Sequence, residues 1–295
     1  MGERESLDYF LNEVFKLLKK AGFTVNAISY PKDKRSVDLI GSRNKTKVVL
    51  KITLDTKNLS RIEFSDLKKI SKAFRASPLI ISERDENEKL EKDLVVKSKG
   101  INVVSIELLQ SYLLRGEKPI VYKLRGNLLV KIDPVKFREI RLQHGYSLGE
   151  LAEKIGVSRK AIYEYERGQI AISVDRAIRI TEILGEDILK PIEILDFDEE
   201  EYDINSDIRS KNIVSKIISE ICSEINISEC LLYKLGKTPI DYILKIGGKN
   251  YSIIFETNDF NEKIGNALKI TTILNSREII VRQPSELLEL KKEIS

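Results

Sequence analysis

Apolar residues at the start of the chain fall at Leu7, Phe10, Leu11, Val14, Leu17 and Leu18. This i, i+3, i+4, i+7 spacing marks one face of a helix, and Gly22 follows as a stop. The period then shortens. FTVNAIS, SVDLI and TKVVLKITL predict three short strands, with GSRNK as the turn of a hairpin between the last two. A helix over Phe64 to Arg75, a short buried strand PLIIS, a charged helical stretch and a strand GINVVSI complete this part. The last third repeats the order: a helix from Lys211 to Glu224, strands in SECLLYKL, PIDYILKI and NYSIIFET, a helix from Asn261 to Leu274, and a strand EIIV. VDLIGSRNKTKVVLKITLD lies over IDYILKIGGKNYSIIFETND with one residue of slippage, and LKKISKAFRASPLII over ALKITTILNSREIIV with none. The chain therefore reads as two copies of one α-β-β-β-α-β unit. The alternative is two unrelated small α/β units with the same order.

Between the copies, PIVYKLRGNLLVKID alternates apolar and polar about Gly126-Asn127 and reads as a β-hairpin. From Pro134 to about Leu195 the pattern is helical throughout. Asp133 caps a helix that opens on Pro134 and ends at His144-Gly145. Ser147 and Glu150 form a capping box for a second helix, which stops at Gly156. Ser158 caps a third helix, RKAIYEYER, ending at Gly168, and a fourth starts near Ser173 or Asp175 and ends at Gly185. Ile155-Gly156-Val157-Ser158 is thus a tight turn between two short helices, with glycine where φ > 0 is needed.

Composition changes this picture little. At 42% hydrophobic and 33% charged residues the chain is globular rather than disordered. No apolar run approaches the ~18 residues of a membrane span, and MGERESLDYF lacks the apolar core of a secretory signal, so we expect a cytoplasmic protein without membrane contact. Abundant Lys, Glu and Ile with scarce Met and Cys and no Trp resemble a hyperthermophile composition. Cys222 and Cys230 are expected as two small buried hydrophobes. With one histidine, His144, histidine-based catalysis and multi-histidine metal sites are close to excluded.

Charge distribution says more than the net +4. Residues 115–141 carry eight bases against three acids, whereas DFDEEEYDINSD (196–207) carries seven acids and no base and reads as a linker. Residues 134–190 hold ten bases and nine acids and are nearly neutral. In the third helix Ser158, Arg159 and Lys160 occupy the first turn, and Tyr163 and Glu164 lie one turn on. Hydroxyls and helix N-termini suit phosphates. Arginine suits guanine O6/N7, and a carboxylate accepts from cytosine N4. Ser147 is a phosphate-contact candidate at the preceding helix. Lys123 and Arg125 make the hairpin a candidate backbone-contacting wing, the alternative being a hairpin that only packs domains together. Leu151-Ala152, Ile155-Gly156-Val157-Ser158, Ile162, Glu166-Arg167-Gly168 and Ala177…Leu184-Gly185 resemble the Cro/lambda-repressor-like helix-turn-helix family over about 55 residues. The resemblance implies a recognition helix at about 158–167 and a structural Arg167, paired with Glu166 or a nearby acid.

An Asp opening the second strand of each copy resembles the PD-(D/E)xK nuclease fold, which uses an Asp and then a Glu-x-Lys to hold Mg²⁺. Asp38 and Lys51 fit the first copy, but Val49 stands at the Glu position. Asp241 and Glu256 fit the second, but Asn258 stands at the Lys position. Neither set is complete, so both copies read as scaffolds without nuclease activity. Two alternatives remain at this stage: a composite site of Asp38, Lys51, Asp241 and Glu256, or aspartates that merely cap strands or turns.

Taken whole, RGEKPIVYKLRGNLLVKID running into FREIRLQHGYSLGELAEKIGVSRKAIYEYERG and then KPIEIL resembles the archaeal helix-turn-helix transcriptional regulators. The expected architecture is multi-domain α+β, with a central all-α lambda-repressor-like domain flanked by two related nuclease-like units. The boundaries are 1–115, a hairpin connector 116–133, a helix-turn-helix domain 134–195, an acidic linker 196–209 and a second unit 210–295. The expectation is a non-enzymatic regulator that binds double-stranded DNA as a homodimer, without cofactor or bound metal, its effector unknown. The alternatives are a DNA-processing nuclease and an RNA- or ribosome-binding factor.

Overall fold

The computed structural model describes residues 3–197, 205–224 and 229–290. In chain order the elements are α1 (Glu3–Lys20), β1 (Thr24–Ala27), β2 (Leu39–Arg43), β3 (Thr46–Asp55), α2 (Arg61–Phe74), β4 (Ser77–Asp85), β5 (Glu88–Lys89), β6 (Leu94–Ser98), β7 (Ile101–Val104), α3 (Ile106–Gln110), β8 (Val121–Leu124) and β9 (Asn127–Ile132). Then follow α4 (Pro134–Gln143), α5 (Leu148–Ile155), α6 (Arg159–Glu166), β10 (Ile172–Ser173), α7 (Val174–Leu184), β11 (Leu189–Lys190), α8 (Ile213–Glu224), β12 (Cys230–Lys234), β13 (Tyr242–Ile246), β14 (Lys249–Phe255), α9 (Phe260–Leu274) and β15 (Arg277–Val281). Among the described residues no helix is long and apolar enough to cross a membrane.

The chain divides into two compact units, one of residues 1–87, 99–101 and 195–295, the other of residues 88–98 and 102–194. This partition differs from the sequence-based boundaries at 115 and 133. The acidic stretch proposed as a linker falls largely at 198–204, outside the described residues.

The first unit holds both α/β copies. Strands run β1-β2-β3-β4 in one and β12-β13-β14-β15 in the other, antiparallel except for the parallel last pair of each. Phe10, Val14, Leu17 and Leu18 of α1 are buried, as their spacing predicts, and Val214, Ile218 and Ile221 of α8 match them in the second copy. The slippage expected between the copies is absent. Each hairpin turns on two residues, 44–45 and 247–248, and Ile52 N–H and Phe255 N–H each donate to the aspartate fourteen residues before, Asp38 and Asp241, at 2.8 Å. Lys51 pairs with Ile80 and Ile254 with Ile280, so the position matching Lys51 is Ile254 and the one matching Val49 is Ser252. Glu256 sits four residues beyond Ser252, too late to be the family's glutamate, because equal turns leave no room for the shift.

The two copies pack on each other reciprocally. Asp66 of α2 accepts from Gly236 N–H (3.0 Å) and Lys237 N–H (2.8 Å) beyond β12, and Asn266 of α9 accepts from Ser29 N–H (2.7 Å) beyond β1. Lys69 Nζ donates to Lys234 O (2.8 Å), and Lys269 Nζ donates to Ala27 O (3.1 Å). Residue i meets j while the equivalent of j meets the equivalent of i, which is the signature of an isologous interface, here closed within one chain. Gly236 is required by this contact, since a Cβ there would lie 2.7 Å from Ile62 Cγ2.

The cysteines are not separate buried hydrophobes. Cys222, at the end of α8, and Cys230, opening β12, form a disulfide. Helix α8 packs against β12, so the fold brings the two sulfurs together across an eight-residue separation that sequence alone leaves undetermined.

In the second unit β7-β6-β8-β9-β10 form a sheet, with β11 also on β9. The two short strands β10 and β11 interrupt the region expected to be all helix. The hairpin turns at Arg125-Gly126, one residue earlier than its sequence suggests, and Leu124 pairs with Asn127. Both turn residues have positive φ (50° and 82°), as a two-residue hairpin turn demands.

Candidate nucleic-acid interface and nuclease-like clefts

Helix α5 starts where Ser147 Oγ accepts from Glu150 N–H (3.2 Å) and Glu150 accepts in return from Ser147 N–H (2.8 Å). That backbone hydrogen bond holds the Glu150 carboxyl below its usual value. The helix ends on Gly156 at φ 76°, a left-handed cap whose N–H donates to Ala152 O. Two residues later Ser158 Oγ accepts from Ala161 N–H (3.1 Å) and opens α6. Both serines use oxygen lone pairs for capping; the Ser158 hydroxyl keeps a proton that can be donated elsewhere, whereas the Ser147 hydroxyl also hydrogen-bonds the Glu150 carboxylate.

The inner faces of these helices are fully packed. Leu151, Ala152, Ile155, Ile162 and Tyr165 join Phe137, Ala177, Ile180 and Leu184 in one core. Phe137 and Tyr165 meet edge to face at 6.3 Å. Arg141 and Glu166, both nearly buried, pair at 2.6 Å, and Arg141 Nη1 also donates to Tyr146 O. Glu166 is therefore taken, and Arg167 pairs elsewhere than its family role implies. It donates from Nη1 to Tyr163 Oη (3.1 Å) and lies over the Tyr163 ring.

The outer face of α6 consequently presents Arg159, Lys160, Tyr163 and Arg167, all exposed. Glu164 is half-buried and forms an i,i+4 pair with Lys160 at 3.6 Å, a contact of small energetic weight. Ser147 and Ser158 are exposed. The hairpin residues behave differently from one another. Lys123 is drawn to Glu88 at 2.5 Å, and that hydrogen bond holds the Glu88 carboxyl below its usual value. Arg125 is exposed at the turn. Val130 of the same hairpin is buried in the helical core, so the hairpin belongs to the fold of this unit.

The nuclease-like positions are occupied by internal cations. Asp38, 3% exposed, faces Arg35 Nε at 2.7 Å through Oδ1 and Lys51 Nζ at 3.1 Å through Oδ2, which also accepts from Ile52 N–H. Lys51 meets Glu63 at 3.6 Å and donates to Arg35 O at 2.8 Å. Glu63 also forms a capping box with Ser60, and Lys237 reaches both. In the second copy buried Lys263 Nζ contacts Asp241 at 2.7 Å and donates to Phe255 O. Exposed Glu256 pairs with Arg282. The alternative composite set is not gathered among the described residues, where each acid is instead bound by a cation of its own neighbourhood. Arg35, Glu63 and Lys263 escaped sequence reading. Ser60-x-x-Glu63 was a legible capping box, and Lys263 stands at the place of Glu63 in the unslipped register of the second repeat.

Family models match the first α/β copy and the helix-turn-helix. Residues 7–119 match the PD-(D/E)XK superfamily domain, and residues 137–190 match a helix-turn-helix family. A protein of Sulfurisphaera tokodaii named "Putative HTH-type transcriptional regulatory protein" is 32% identical over 94% of this chain and 91% of its own length. The chain belongs to this family. A Methanocaldococcus jannaschii member is 32% identical over 96% of the chain and 84% of its own length. A Thermococcus kodakarensis member is 38% identical over 65% of the chain, and the match spans 59% of that relative. No solved structure matches. Within this family member, the divalent cation implied by the PD-(D/E)XK fold does not fit the residues present. Both Asp38 oxygens face cations, Val49 offers no ligand, and no three His, Cys, Asp or Glu side chains gather suitably among the described residues.

Proposed function

We propose that this protein is a sequence-specific double-stranded DNA-binding transcriptional regulator, with α6 in the major groove. The observation that carries this reading is the geometry of α5 and α6. A glycine-capped turn joins them, their inner faces are sealed in a core, and Arg159, Lys160 and Tyr163 stand outward from the first turns of the second helix. That is the helix-turn-helix arrangement in which N-terminal residues of the second helix meet base edges. Arg159 and Lys160 are the base or phosphate readers, Ser147 and Ser158 donate to phosphates, Tyr163 offers a ring to a thymine methyl, and Glu164 accepts from cytosine once Lys160 turns to DNA. Arg125 adds a backbone contact from the hairpin, where Lys123 would first have to leave Glu88.

Two half-sites ~34 Å apart require two such helices, so the proposed active species is a homodimer. The two α/β copies already saturate one another within a chain, which argues that the dimer surface lies elsewhere. Nuclease-like describes the second copy as well as the first, and we infer that neither cleaves, since cations fill the positions where a metal would be held.

In band-shift titrations against genomic fragments selected for binding, Arg159→Ala with Lys160→Ala should weaken duplex binding by ~1–3 kcal/mol per lost base contact. Unchanged duplex affinity, or a preference for RNA over duplex DNA, would defeat the proposal. Mg²⁺-dependent cleavage of the same fragments would favour the nuclease reading instead.

A further inference from the structure

The two α/β copies differ most in the connection leading to the aspartate. Ile28 N–H donates to Asp38 O, and Leu235 N–H to Asp241 O, both at 2.9 Å. Nine residues lie between these anchors in the first copy and five in the second. The longer connection contains Lys32-Asp33-Lys34-Arg35, and all four line a cleft of about 650 Å³, a volume suited to a small molecule. The connection is held in place by Ser29 N–H donating to Asn266 and Ser36 N–H donating to Lys237 O at 2.8 Å.

The cations in this cleft are not equivalent. Lys51 is surrounded by Asp38, Glu63 and Arg35 O, which accounts for its three ammonium hydrogens. Lys32 pairs with Glu262. Arg35 is mostly buried, its side chain 19% exposed. Its Nε lies 2.7 Å from Asp38 Oδ1, an ion-pair distance, yet the N–H is aligned on no acceptor. A guanidinium that lines a cleft with its Nε against a carboxylate can turn its remaining edge to an oxyanion, because guanidinium matches a carboxylate or phosphate two oxygens at a time. Leu7, Leu54 and Leu59 give the cleft an apolar wall.

We propose that this cleft binds a small organic anion, with one carboxylate or phosphate group on Arg35 and an apolar body against the leucines. A nucleic-acid strand fits less well. Asp8, Asp33, Asp38 and Glu63 balance Lys32, Lys34, Arg35 and Lys51 in the lining, so the cleft lacks the net positive charge that holds a polyanion. This site does not depend on the DNA-binding reading.

Calorimetric titration of the full chain with phenyl phosphate, benzoate and a short single-stranded oligonucleotide tests it. Saturable one-to-one binding of phenyl phosphate or benzoate is expected, weakened about tenfold or more by Arg35→Ala, weakened to a lesser degree by Lys34→Ala, and unaffected by Arg159→Ala. Should Arg35→Ala not fold, Arg35→Lys serves, since it keeps the charge and loses the fork. Absence of saturable binding up to ~10 mM, a millimolar ceiling for specific recognition, would overturn the proposal. So would binding indifferent to Arg35, or binding of the oligonucleotide alone.

Discussion

Arg141 and Glu166 show how one buried pair can organise a surface helix. Arg141 comes from α4 and Glu166 from the last turn of α6, and Arg141 also satisfies the carbonyl of Tyr146 at the entry to α5. Three helices of the helix-turn-helix region therefore meet on one guanidinium. Removing one member of a buried pair leaves the other charge uncompensated. Arg141→Ala is expected to cost ~3–5 kcal/mol in denaturant unfolding. Asp66 supplies a second residue-scale test. Burial, above all, raises its carboxyl pKa, while hydrogen bonds from Ser36, Lys237 and Gly236 pull the other way. A carboxyl raised in the folded state holds a proton that the unfolded chain has lost. Its contribution to stability therefore falls as pH rises from the unperturbed value of ~3.9 toward the folded one. Asp66→Asn should abolish that slope in unfolding measured across acidic pH. It should also lower stability near neutrality by ~1–3 kcal/mol, since its amide nitrogen cannot accept from Lys237 N–H.

At the scale of elements, helices α2 and α9 have the same place in their copies and opposite duties toward each other. Each packs on its own sheet and also on the opposite copy, α2 on β13 and α9 on β1 and β2. The α2 contact depends on Gly236, where a side chain would press into Ile62. Gly236→Ala should destabilise the protein by ~1–3 kcal/mol through overpacking. Gly265→Ala, in α9 with nothing within 4 Å of the added methyl, should stabilise it by ~0.5–1 kcal/mol through helix propensity. If thermal unfolding moved the same way for both variants, the reciprocal packing would not be the reason Gly236 is glycine.

Across the whole molecule, the intramolecular pairing of the copies makes one chain the equivalent of a dimer of α/β units, joined to a helix-turn-helix region at residues 137–190. The disulfide between Cys222 and Cys230 closes a short loop at the edge of the second copy. Disulfides are common in hyperthermophile proteins, and the thermophile-like composition suits one here. The loop is short, so the chain-entropy relation gives ~2–3 kcal/mol of stabilisation. Cys222→Ala with Cys230→Ala should lose about that much, and the wild-type unfolding midpoint should fall in reductant while that of the double variant stays fixed.

The sequence by itself determined most of the elements and the order of the repeat; it missed β10 and β11, and the charged stretch before GINVVSI, expected as helix, holds β5 and β6 instead. Helical and strand periods in Leu7 to Leu18 or TKVVLKITL are local consequences of which side chains must be buried, and the caps at Ser147, Ser158 and Gly156 are local hydrogen-bond requirements. The helix-turn-helix was legible for the same reason, since all its signals lie within about 55 residues. Tertiary structure alone decided the register of the second copy, the reciprocal seat of α2 and α9, and the partners of charged groups. Lys51 with Asp38 and Arg141 with Glu166 are each chosen by proximity in space among many cations and acids, and no local pattern ranks those choices; for the two cysteines, whether they pair at all is decided by the seat of α8 on β12. The same reason hid Arg35. Its place in the cleft depends on Asp38 and Lys51, which only the fold sets beside it.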